Sequence, residues 1–303
     1  MNKHAYIIMA HTNYSQLLKL LACLDDSRND LYLHLDRKFD LSDRQIDESK
    51  KSTKQANIIL VPRQMVAWGG YSQIKCYTDI IHEVIRTNIR YSYVHLISGL
   101  DLPLKNQDYI HSFFSEHDGE EFIDFSEKDW SDANAFRLKY YYPLQDLMGR
   151  IRNNSIKNVL FGFQRILVKI QKVANINRLK SLDIKLMGGS QWFSITYDCA
   201  YYIDKHASEY KQLFCSAFCA DEFYLQSIVG NSAFYEKRHK PTEGDSCHGN
   251  MRLIEWIDGA HPKVFSTNDI NRIMNTDLLF ARKFDELIDE QAIDMIVERI
   301  VND

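Results

Sequence analysis

The sequence of 303 residues predicts an α/β fold with a mostly parallel central sheet flanked by helices. Short apolar runs with the length of buried strands recur along the first third of the chain, and polar or turn-forming residues bound each run. Segments of helical length and periodicity separate these runs, which is the pattern of successive β-α-β units. Hydrophobic residues make up 45% of the chain, so it has enough apolar surface for a substantial core.

The first half of the chain supplies most of the predicted strands. Four apolar runs predict strands, at residues 5–10, 31–36, 57–61 and 93–98. Two amphipathic segments predict helices, at residues 15–24 and 71–87. Ser15 is the candidate N-cap of the first helix, Pro62 ends the third strand, and a lysine- and serine-rich loop is expected around 43–55.

Polar residues at the ends of two predicted strands mark the expected ligand site. Asp36 ends the second strand, and Asp101 closely follows the fourth. In open α/β sheets, ligands bind beyond the carboxyl ends of the parallel strands. Both aspartates are therefore expected to lie at this edge of the sheet.

The second half of the chain is more helical and contains a basic segment at about 144–181. Its apolar residues, interleaved with many Arg and Lys, are Leu147, Ile151, Ile156, Leu160, Phe163, Ile166, Leu167 and Ile170. One or two amphipathic helices are predicted there, which either touch an anionic membrane surface or pack on the sheet as ordinary surface helices. Other helices are predicted at 198–213, from Asp221 onward and at 286–301. Without an evident linker, residues 1–303 are predicted to form one domain.

Composition and charge exclude several classes of protein. The formal net charge of −4 argues against a nucleic-acid-binding protein, which usually carries a basic field. No apolar run approaches the roughly 20 residues that a membrane-spanning helix needs. The six cysteines are scattered, with no Cys-x-x-Cys pair and no export signal, so reduced thiols and a cytoplasmic location are expected.

Several catalytic motifs are absent from the sequence. The chain has no dinucleotide-binding glycine fingerprint, no P-loop and no His-Glu-x-x-His, which disfavours nicotinamide cofactors, nucleotide hydrolysis and zinc-dependent proteolysis. It also has no Asp-x-Asp, the motif that commonly holds the divalent metal in nucleotide-sugar transferases.

Two charged pairs are candidates for function. Asp221-Glu222 opens a predicted helix, where the carboxylates either complement the helix dipole or provide a general base in a cleft. Arg282-Lys283 lies between Phe280 and Phe284, so its cations either bind an anion or extend into solvent from a helix end.

Seven segments, in order along nearly the whole chain, resemble the core-2/I-branching glycosyltransferase family. They are AYIIMAH at 5–11, LHLDRK at 33–38, VAWGGYS at 66–72, LISGLDLPLK at 96–105, GGSQWF at 188–193, DE at 221–222 and LFARKFD at 279–285. The family includes β-1,6-N-acetylglucosaminyltransferases and the related protein O-xylosyltransferases. The chain resembles a bacterial-type member, since it lacks the N-terminal anchor and paired cysteines of the Golgi enzymes.

The resemblance implies a GT-A-like fold and an inverting, metal-independent transfer of a sugar, most often GlcNAc, from a UDP-sugar to an acceptor sugar hydroxyl. Metal independence fits the absent Asp-x-Asp. Residues 1–110 would form the nucleotide-sugar-binding half, and residues 111–303 the acceptor and catalytic half. Alternatives are a xylosyl- or other hexosyltransferase on the same scaffold, or a non-catalytic carbohydrate-binding protein.

The resemblance also assigns roles to residues. Glu222 matches the catalytic glutamate, which takes the proton of the acceptor hydroxyl. Lys283 matches a lysine that contacts the diphosphate, and Arg282 would support it. An ungapped match places Ala260 where the animal enzymes have a second diphosphate-binding arginine. Lys263 is the substitute that we predict for this arginine, and Arg252 is a further candidate.

The remaining predictions concern the nucleotide, the acceptor and the location of the protein. Asp36 matches a position near the uridine, and Trp68 and Tyr71 fall in the loop that borders the nucleotide. Trp192, Arg137 and Asp101 are predicted to contact the acceptor, although simple core packing is an open alternative for Trp192. Besides donor and acceptor, the expected partner is a membrane surface, touched peripherally at the cytoplasmic face during surface polysaccharide or glycan synthesis.

Overall fold

The computed structural model describes residues 3–180, 182–239, 246–257 and 261–302, and a six-stranded sheet lies at its centre. The strands of this sheet are β1 (His4–Ala10), β2 (Asn29–Leu35), β3 (Asn57–Leu60), β4 (Tyr93–Ser98), β6 (Phe122–Ile123) and β7 (Phe193–Thr196). Their order is β3-β2-β1-β4-β7-β6. β1, β2, β3 and β4 pair in parallel, whereas β7 runs antiparallel to both β4 and β6.

These strand directions bring distant parts of the chain to one edge of the sheet. The carboxyl ends of the four parallel strands meet there, and Asp36 directly follows one of them. Because β7 is antiparallel to β4, the start of β7 lies at the same edge, preceded by Trp192. The sheet thus gathers the segments that carry several predicted site residues.

A smaller sheet lies beside the main one and carries Arg282, with Lys283 directly after it. Its strands are β5 (Asp101–Pro103), β8 (Arg252–Ile254) and β11 (Phe280–Arg282), in the order β5-β11-β8. The register places Arg282 opposite Asp101. Two further strands, β9 (Trp256–Ile257) and β10 (His261–Pro262), form a separate antiparallel pair.

Helices cover both faces of the main sheet. They are α1 (Tyr14–Cys23), α2 (Asp43–Lys50), α3 (Tyr71–Arg86), α4 (Gln107–Glu116), α5 (Lys128–Asn134), α6 (Phe136–Lys139), α7 (Gln145–Arg150), α8 (Asn154–Val173), α9 (Tyr197–Phe214), α10 (Asp221–Gly230), α11 (Ser246–Asn250), α12 (Ile270–Met274) and α13 (Glu286–Asn302), with 3₁₀ helices at Ala233–Lys237 and Thr267–Asp269. None of the described helices combines the length and the apolar character needed to cross a bilayer.

Two hydrophobic cores form because successive side chains of a strand point to opposite faces of the sheet. Along β1, Tyr6 and Ile8 face one core with α1, α4 and α13, while Ala5 and Ile7 face the other core with α3, α9 and α10. The predicted α/β class is therefore confirmed: a mostly parallel sheet is flanked by helices, and α7 and α8 form the helical segment that was predicted at about 144–181.

Two local predictions were wrong, and one of the open alternatives is removed. Ser15 lies inside α1, which begins one residue earlier after Asn13 and has no side-chain cap. The expected loop around 43–55 contains α2, because Ser42 and Gln45 form a reciprocal capping box. This mostly exposed helix has no apolar periodicity that would have revealed it. Arg282 ends a strand, β11, and not a helix.

Candidate active site

The Glu222 carboxylate lies in the first turn of α10 and remains partly exposed. Its Oε2 atom accepts a hydrogen bond from Nη1 of Arg137, which α6 carries. The Arg137 guanidinium also lies over the ring of Trp130, with 5.5 Å between Cζ and the ring centroid. The structure thus brings together the predicted catalytic residue and one predicted acceptor residue, in an ion pair that fixes the direction of the Glu222 carboxylate.

Two glycine residues fit tightly where the chain approaches this turn of α10. The amide of Gly189 donates to the carbonyl oxygen of Glu222 at 2.8 Å, and a Cβ atom at residue 189 would lie only 2.1 Å from the Asp124 carbonyl oxygen. Gly69 has a positive φ of 66° and accepts from the Cys219 amide at 2.8 Å. These close approaches need glycine, which is the physical reason for the glycine pairs at both positions.

Asp221, the neighbour of Glu222, is buried and forms no ion pair with a cation in the part of the chain that the structure describes. Its Oδ2 atom accepts from Nε2 of Gln73 at 3.1 Å, while its Oδ1 atom has no hydrogen-bond partner among the described residues. Burial, followed by the nearby charge of Glu222, raises the pKa of Asp221 to about 7. The Gln73 side chain also donates to Oε1 of Gln191 at 2.6 Å. Sequence reasoning missed Gln73, which contacts the Asp221 carboxylate, and Gln191, which precedes Trp192 and accepts from Gln73. These contacts make both glutamines functional candidates.

Arg282 is held by a buried carboxylate and an aromatic ring. Its Nη1 atom donates to Oδ1 of Asp101 at 2.8 Å and to Oγ of Ser98 at 2.9 Å. Its guanidinium lies over the ring of Trp192, with 4.3 Å between Cζ and the ring centroid. The charge of Arg282 is therefore already compensated within the protein, and the anion that its position suggested is the Asp101 carboxylate.

The predicted acceptor contacts of Asp101 and Trp192 do not fit their burial. Asp101 is 2% exposed, and its oxygens accept from the Ser98 amide, the Ser98 hydroxyl and Arg282. Trp192 is 7% exposed and has the Arg282 guanidinium over its ring. In this structure Asp101 orients Arg282, and Trp192 follows the core-packing alternative, because neither side chain presents enough surface to a sugar.

Lys283 differs from Arg282 in that its charge is not compensated by a described side chain. Its backbone is fixed, since its amide donates to the Lys263 carbonyl oxygen at 3.3 Å and its carbonyl oxygen accepts from Phe265 at 2.9 Å. Its side chain is partly exposed, and no described side chain hydrogen-bonds or ion-pairs with its ammonium. The Lys283 ammonium is therefore available to bind an anion, whereas the Arg282 guanidinium is not.

The two candidates for a second phosphate-binding cation are both engaged elsewhere. The Lys263 ammonium pairs with Asp269 at 2.5 Å and with Glu255 at 3.7 Å. Arg252 is 2% exposed and donates to the carbonyl oxygens of Asn250, Leu96 and Phe193 and to the hydroxyl of Ser194.

Burial lowers the pKa of Arg252 to about 9, and the surrounding core leaves no path to a diphosphate. Arg252 is therefore excluded as a diphosphate ligand in this structure, whereas Lys263 stays a prediction. Ala260, the position of the ungapped match, lies outside the described residues.

The predicted uridine-side residues occupy three different environments. Asp36 is buried, and its carboxylate accepts from the amides of Lys38 at 2.7 Å and Val66 at 3.1 Å, so it ties β2 to the following loop. Tyr71 is half-buried beside the second core, and burial raises its pKa to about 12. Trp68 is 72% exposed, which makes it the freest of the three to stack on a base.

His11, which follows β1, lies near charged residues from the end of β2 and from the end of β11. Burial lowers its pKa, Asp36 acts in the opposite direction, and Arg282, Lys38 and Lys283 lower it further. These charges act on one imidazole, so the end of β2 and the end of β11 converge around it. Sequence reasoning assigned no role to His11, although its place directly after the first parallel strand was a usable signal.

Possible metal ligands occur elsewhere in the fold. Within the described ranges, one group of three such side chains was found, His117, Glu120 and His239, with ligand atoms within 4.8 Å of one another. Glu120 precedes β6, at the edge of the sheet opposite to the one that carries Trp192, and its carboxylate already pairs with His239 at 2.7 Å. No such group surrounds Glu222 or Lys283 in the part of the chain that the structure describes.

Comparison with known proteins gives one family. The family model described as "Branch: Core-2/I-Branching enzyme" matches residues 4–278. The chain is 21% identical to a xylosyltransferase of Ciona intestinalis over 98% of its own length, and 19% identical to human xylosyltransferase 2 over 96%. It spans 34% and 33% of those two proteins, about a third of each.

A zebrafish relative is matched more completely. It is β-1,3-galactosyl-O-glycosyl-glycoprotein β-1,6-N-acetylglucosaminyltransferase 4 of Danio rerio, 18% identical over 98% of the chain and 69% of the relative. Among solved structures, the apo form of mouse xyloside xylosyltransferase 1 superposes with a TM-score of 0.42 and 9% identity, covering 93% of this chain and 97% of that one.

Proposed function

The chain belongs to the core-2/I-branching enzyme family of glycosyltransferases, and we propose that it is an inverting, metal-independent member with a UDP-sugar donor. The donor sugar that we propose is GlcNAc, because the family model is that of the branching enzymes and one relative is a β-1,6-N-acetylglucosaminyltransferase. Xylose, a pentose, or a hexose is the alternative, since two other relatives are named for xylosyl transfer.

The observation that carries this proposal is the partly exposed Glu222 carboxylate, oriented by Arg137 at the start of α10. Glu222 would accept the proton of the acceptor hydroxyl as that oxygen attacks the anomeric carbon. The bond between the anomeric carbon and the phosphate oxygen would break, and its electron pair would leave with UDP. Attack from the face opposite UDP inverts the anomeric configuration.

The departing diphosphate needs positive charge, and Lys283 is the described cation best suited to supply it. Its ammonium has no partner among the described side chains, whereas Arg282 is compensated by Asp101. Lys283 would offset the charge that develops on the β-phosphate, in the role that a metal ion plays in other nucleotide-sugar transferases. Lys263 would join it only by exchanging its Asp269 contact for the phosphate.

The acceptor that we propose is a saccharide, reached from the side of Glu222 and Arg137. We further propose that the protein acts in the cytoplasm, peripherally at the inner membrane face, on a surface polysaccharide or a lipid-linked glycan. The family supports a sugar donor and a glycan acceptor. The membrane face is supported by the basic composition of residues 144–181.

The decisive test replaces Glu222 by Gln, which keeps the size and removes the proton acceptor. We expect the initial rate of sugar transfer to fall on the order of 100-fold or more, while binding of the UDP-sugar by calorimetry stays within about twofold. Glu83→Gln, an exposed glutamate of α3, is the matched control and should keep the wild-type rate. Transfer by Glu222→Gln at more than a tenth of the wild-type rate would refute the assignment.

A donor screen separates the alternatives. UDP-GlcNAc, UDP-xylose, UDP-glucose and UDP-galactose are compared by donor hydrolysis and by protection against melting, each with EDTA or with Mn²⁺. Hydrolysis of UDP-GlcNAc in EDTA supports the proposal, and preference for UDP-xylose selects the alternative. Activity that requires Mn²⁺ contradicts metal independence, and binding without any hydrolysis indicates a carbohydrate-binding protein.

A further inference from the structure

Helix α8 exposes a continuous apolar stripe. Its members recur at the spacing of one helical face, and each has half or more of its surface exposed: Ile156, Val159, Phe163, Ile166, Ile170 and Val173. The stripe runs the length of the 20-residue helix, roughly 30 Å at 1.5 Å per residue. Contiguous apolar surface of this size marks an interaction site on a folded protein.

The side of α8 that contacts the protein is held largely by amide groups. Gln164 is the buried residue of this helix; it accepts from the Leu144 amide at 3.0 Å and donates to Oε1 of Gln145 at 3.3 Å. Gln171 accepts from the amide of Tyr141 at 2.8 Å and donates to its carbonyl oxygen at 2.9 Å. An ordinary surface helix turns its apolar stripe toward the core, whereas α8 turns its stripe outward.

The charges of α8 have one sign. The helix contains four cations, Lys157, Arg165, Lys169 and Lys172, and no Asp or Glu. At 3.6 residues per turn, Arg165, Lys169 and Lys172 share a side that adjoins the apolar stripe. An apolar stripe bordered by cations is the composition of helices that lie in the headgroup region of a bilayer.

We propose that α8 binds the surface of a membrane that contains anionic lipids, with its axis in the plane of the interface. The apolar stripe enters the boundary between headgroups and acyl chains, and the basic side pairs with lipid phosphates. The same apolar spacing fits the seam of a helix pair between two copies of this chain. Charge decides between them, because two copies of α8 bring together cations with no carboxylate on the helix, whereas an anionic bilayer complements them.

Contacts of α8 connect it to the predicted nucleotide loop. Gln164 bonds to Gln145, which in turn donates to the carbonyl oxygen of Trp68 at 3.0 Å. The next residue, Asp146, accepts from the amide of Ser72 at 3.1 Å. A bilayer at α8 therefore lies near the Trp68 loop, within reach of an acceptor carried by a lipid.

The test measures flotation of the full chain with vesicles of phosphatidylcholine alone or with 30% phosphatidylglycerol. We expect at least tenfold stronger binding to the anionic vesicles, reduced by high salt because the charge term is screened. Phe163→Gln with Ile166→Gln should weaken binding at least tenfold, and Arg165→Gln with Lys169→Gln should remove the preference for anionic lipid. Leu287→Gln with Ile288→Gln on α13, also exposed and apolar, is the matched control and should bind as wild type.

Melting temperature and UDP binding of each variant establish that it is folded, and neither depends on lipid. Equal binding to both vesicle types, or unchanged binding by the Phe163/Ile166 variant, overturns the proposal. A dimer in sedimentation that the same variant dissociates, without vesicle binding, shows that a second copy covers the stripe. Vesicle binding does not require catalysis, so its outcome is separate from that of the proposed function.

Discussion

The β11 side and the α10 side of the candidate site differ in how their carboxylates are buried and paired. On the β11 side, the buried carboxylate of Asp101 compensates the Arg282 guanidinium. On the α10 side, Glu222 is ion-paired with Arg137 but stays partly exposed, and the neighbouring Asp221 is buried without an ion pair to any described cation. A compensated pair holds the structure together, whereas a carboxylate that is left reachable is available for proton transfer.

This difference explains why two adjacent cations have different expected roles. Arg282 and Lys283 are neighbours in sequence, but Arg282 faces Asp101 and Trp192, and Lys283 has no described partner. The Arg282 side chain reaches the buried Asp101 carboxylate, whereas Lys283, which directly follows the last residue of β11, stays partly exposed. Three predictions test this contrast.

The largest effect is expected from breaking the compensated pair. Arg282→Met keeps much of the packing on Trp192 but leaves Asp101 buried without its cation. We expect the free energy of unfolding, measured in urea, to fall by about 3 kcal/mol. Lys283→Met, the neighbouring control, should change it by less than about 0.5 kcal/mol.

A double variant, Asp101→Asn with Arg282→Met, sharpens this prediction. It should be more stable than Arg282→Met alone, because no unpaired charge remains buried. Equal loss in Arg282→Met and Lys283→Met would show that the two cations do not differ as proposed.

The second effect concerns the uncompensated carboxylate. Burial raises the pKa of Asp221 to about 7, above the ordinary value of an unfolded aspartate. The folded state therefore binds the proton more tightly, so this stability is complete below the unfolded pKa and is lost as the pH rises through about 7. Relative to Asp221→Asn, the wild type should lose roughly 2 kcal/mol of unfolding free energy between pH 5 and pH 7. Parallel pH profiles for the two proteins would contradict a buried, titrating Asp221.

The smallest effect is expected at the uncommitted cation. Lys283→Ala should weaken UDP binding about tenfold by calorimetry, the size of one charge-assisted hydrogen bond, without a change in melting temperature. Lys263→Ala is the discriminating comparison, since its ammonium is paired with Asp269. If Lys263→Ala weakens UDP binding less than twofold, Lys283 alone contacts the diphosphate. If it weakens UDP binding as much as Lys283→Ala does, Lys263 contacts the diphosphate as well. Unchanged affinity in Lys283→Ala would remove the phosphate role of Lys283.

The sequence predicted most of the fold because periodicity is a local property. The apolar runs of β1 to β4 and the amphipathic pattern of α3, α9 and α13 are visible within windows of a few residues. Capping chemistry without an apolar face was overlooked, as at Ser42 and Gln45 of α2. The basic, amphipathic character of α8 was also visible, but whether its apolar stripe faced the core or the solvent was not.

The sequence by itself determined the α/β class, the family resemblance, the carboxylate at Glu222 and the cation at Lys283. The tertiary structure decided which charges are already paired: Arg282 with Asp101, Lys263 with Asp269, and Arg252 with buried carbonyl groups. The physical reason is that a charge is compensated by whatever the fold brings beside it, and here those partners are up to 181 residues away in the chain. Residue type and spacing carry no information about a contact of that range.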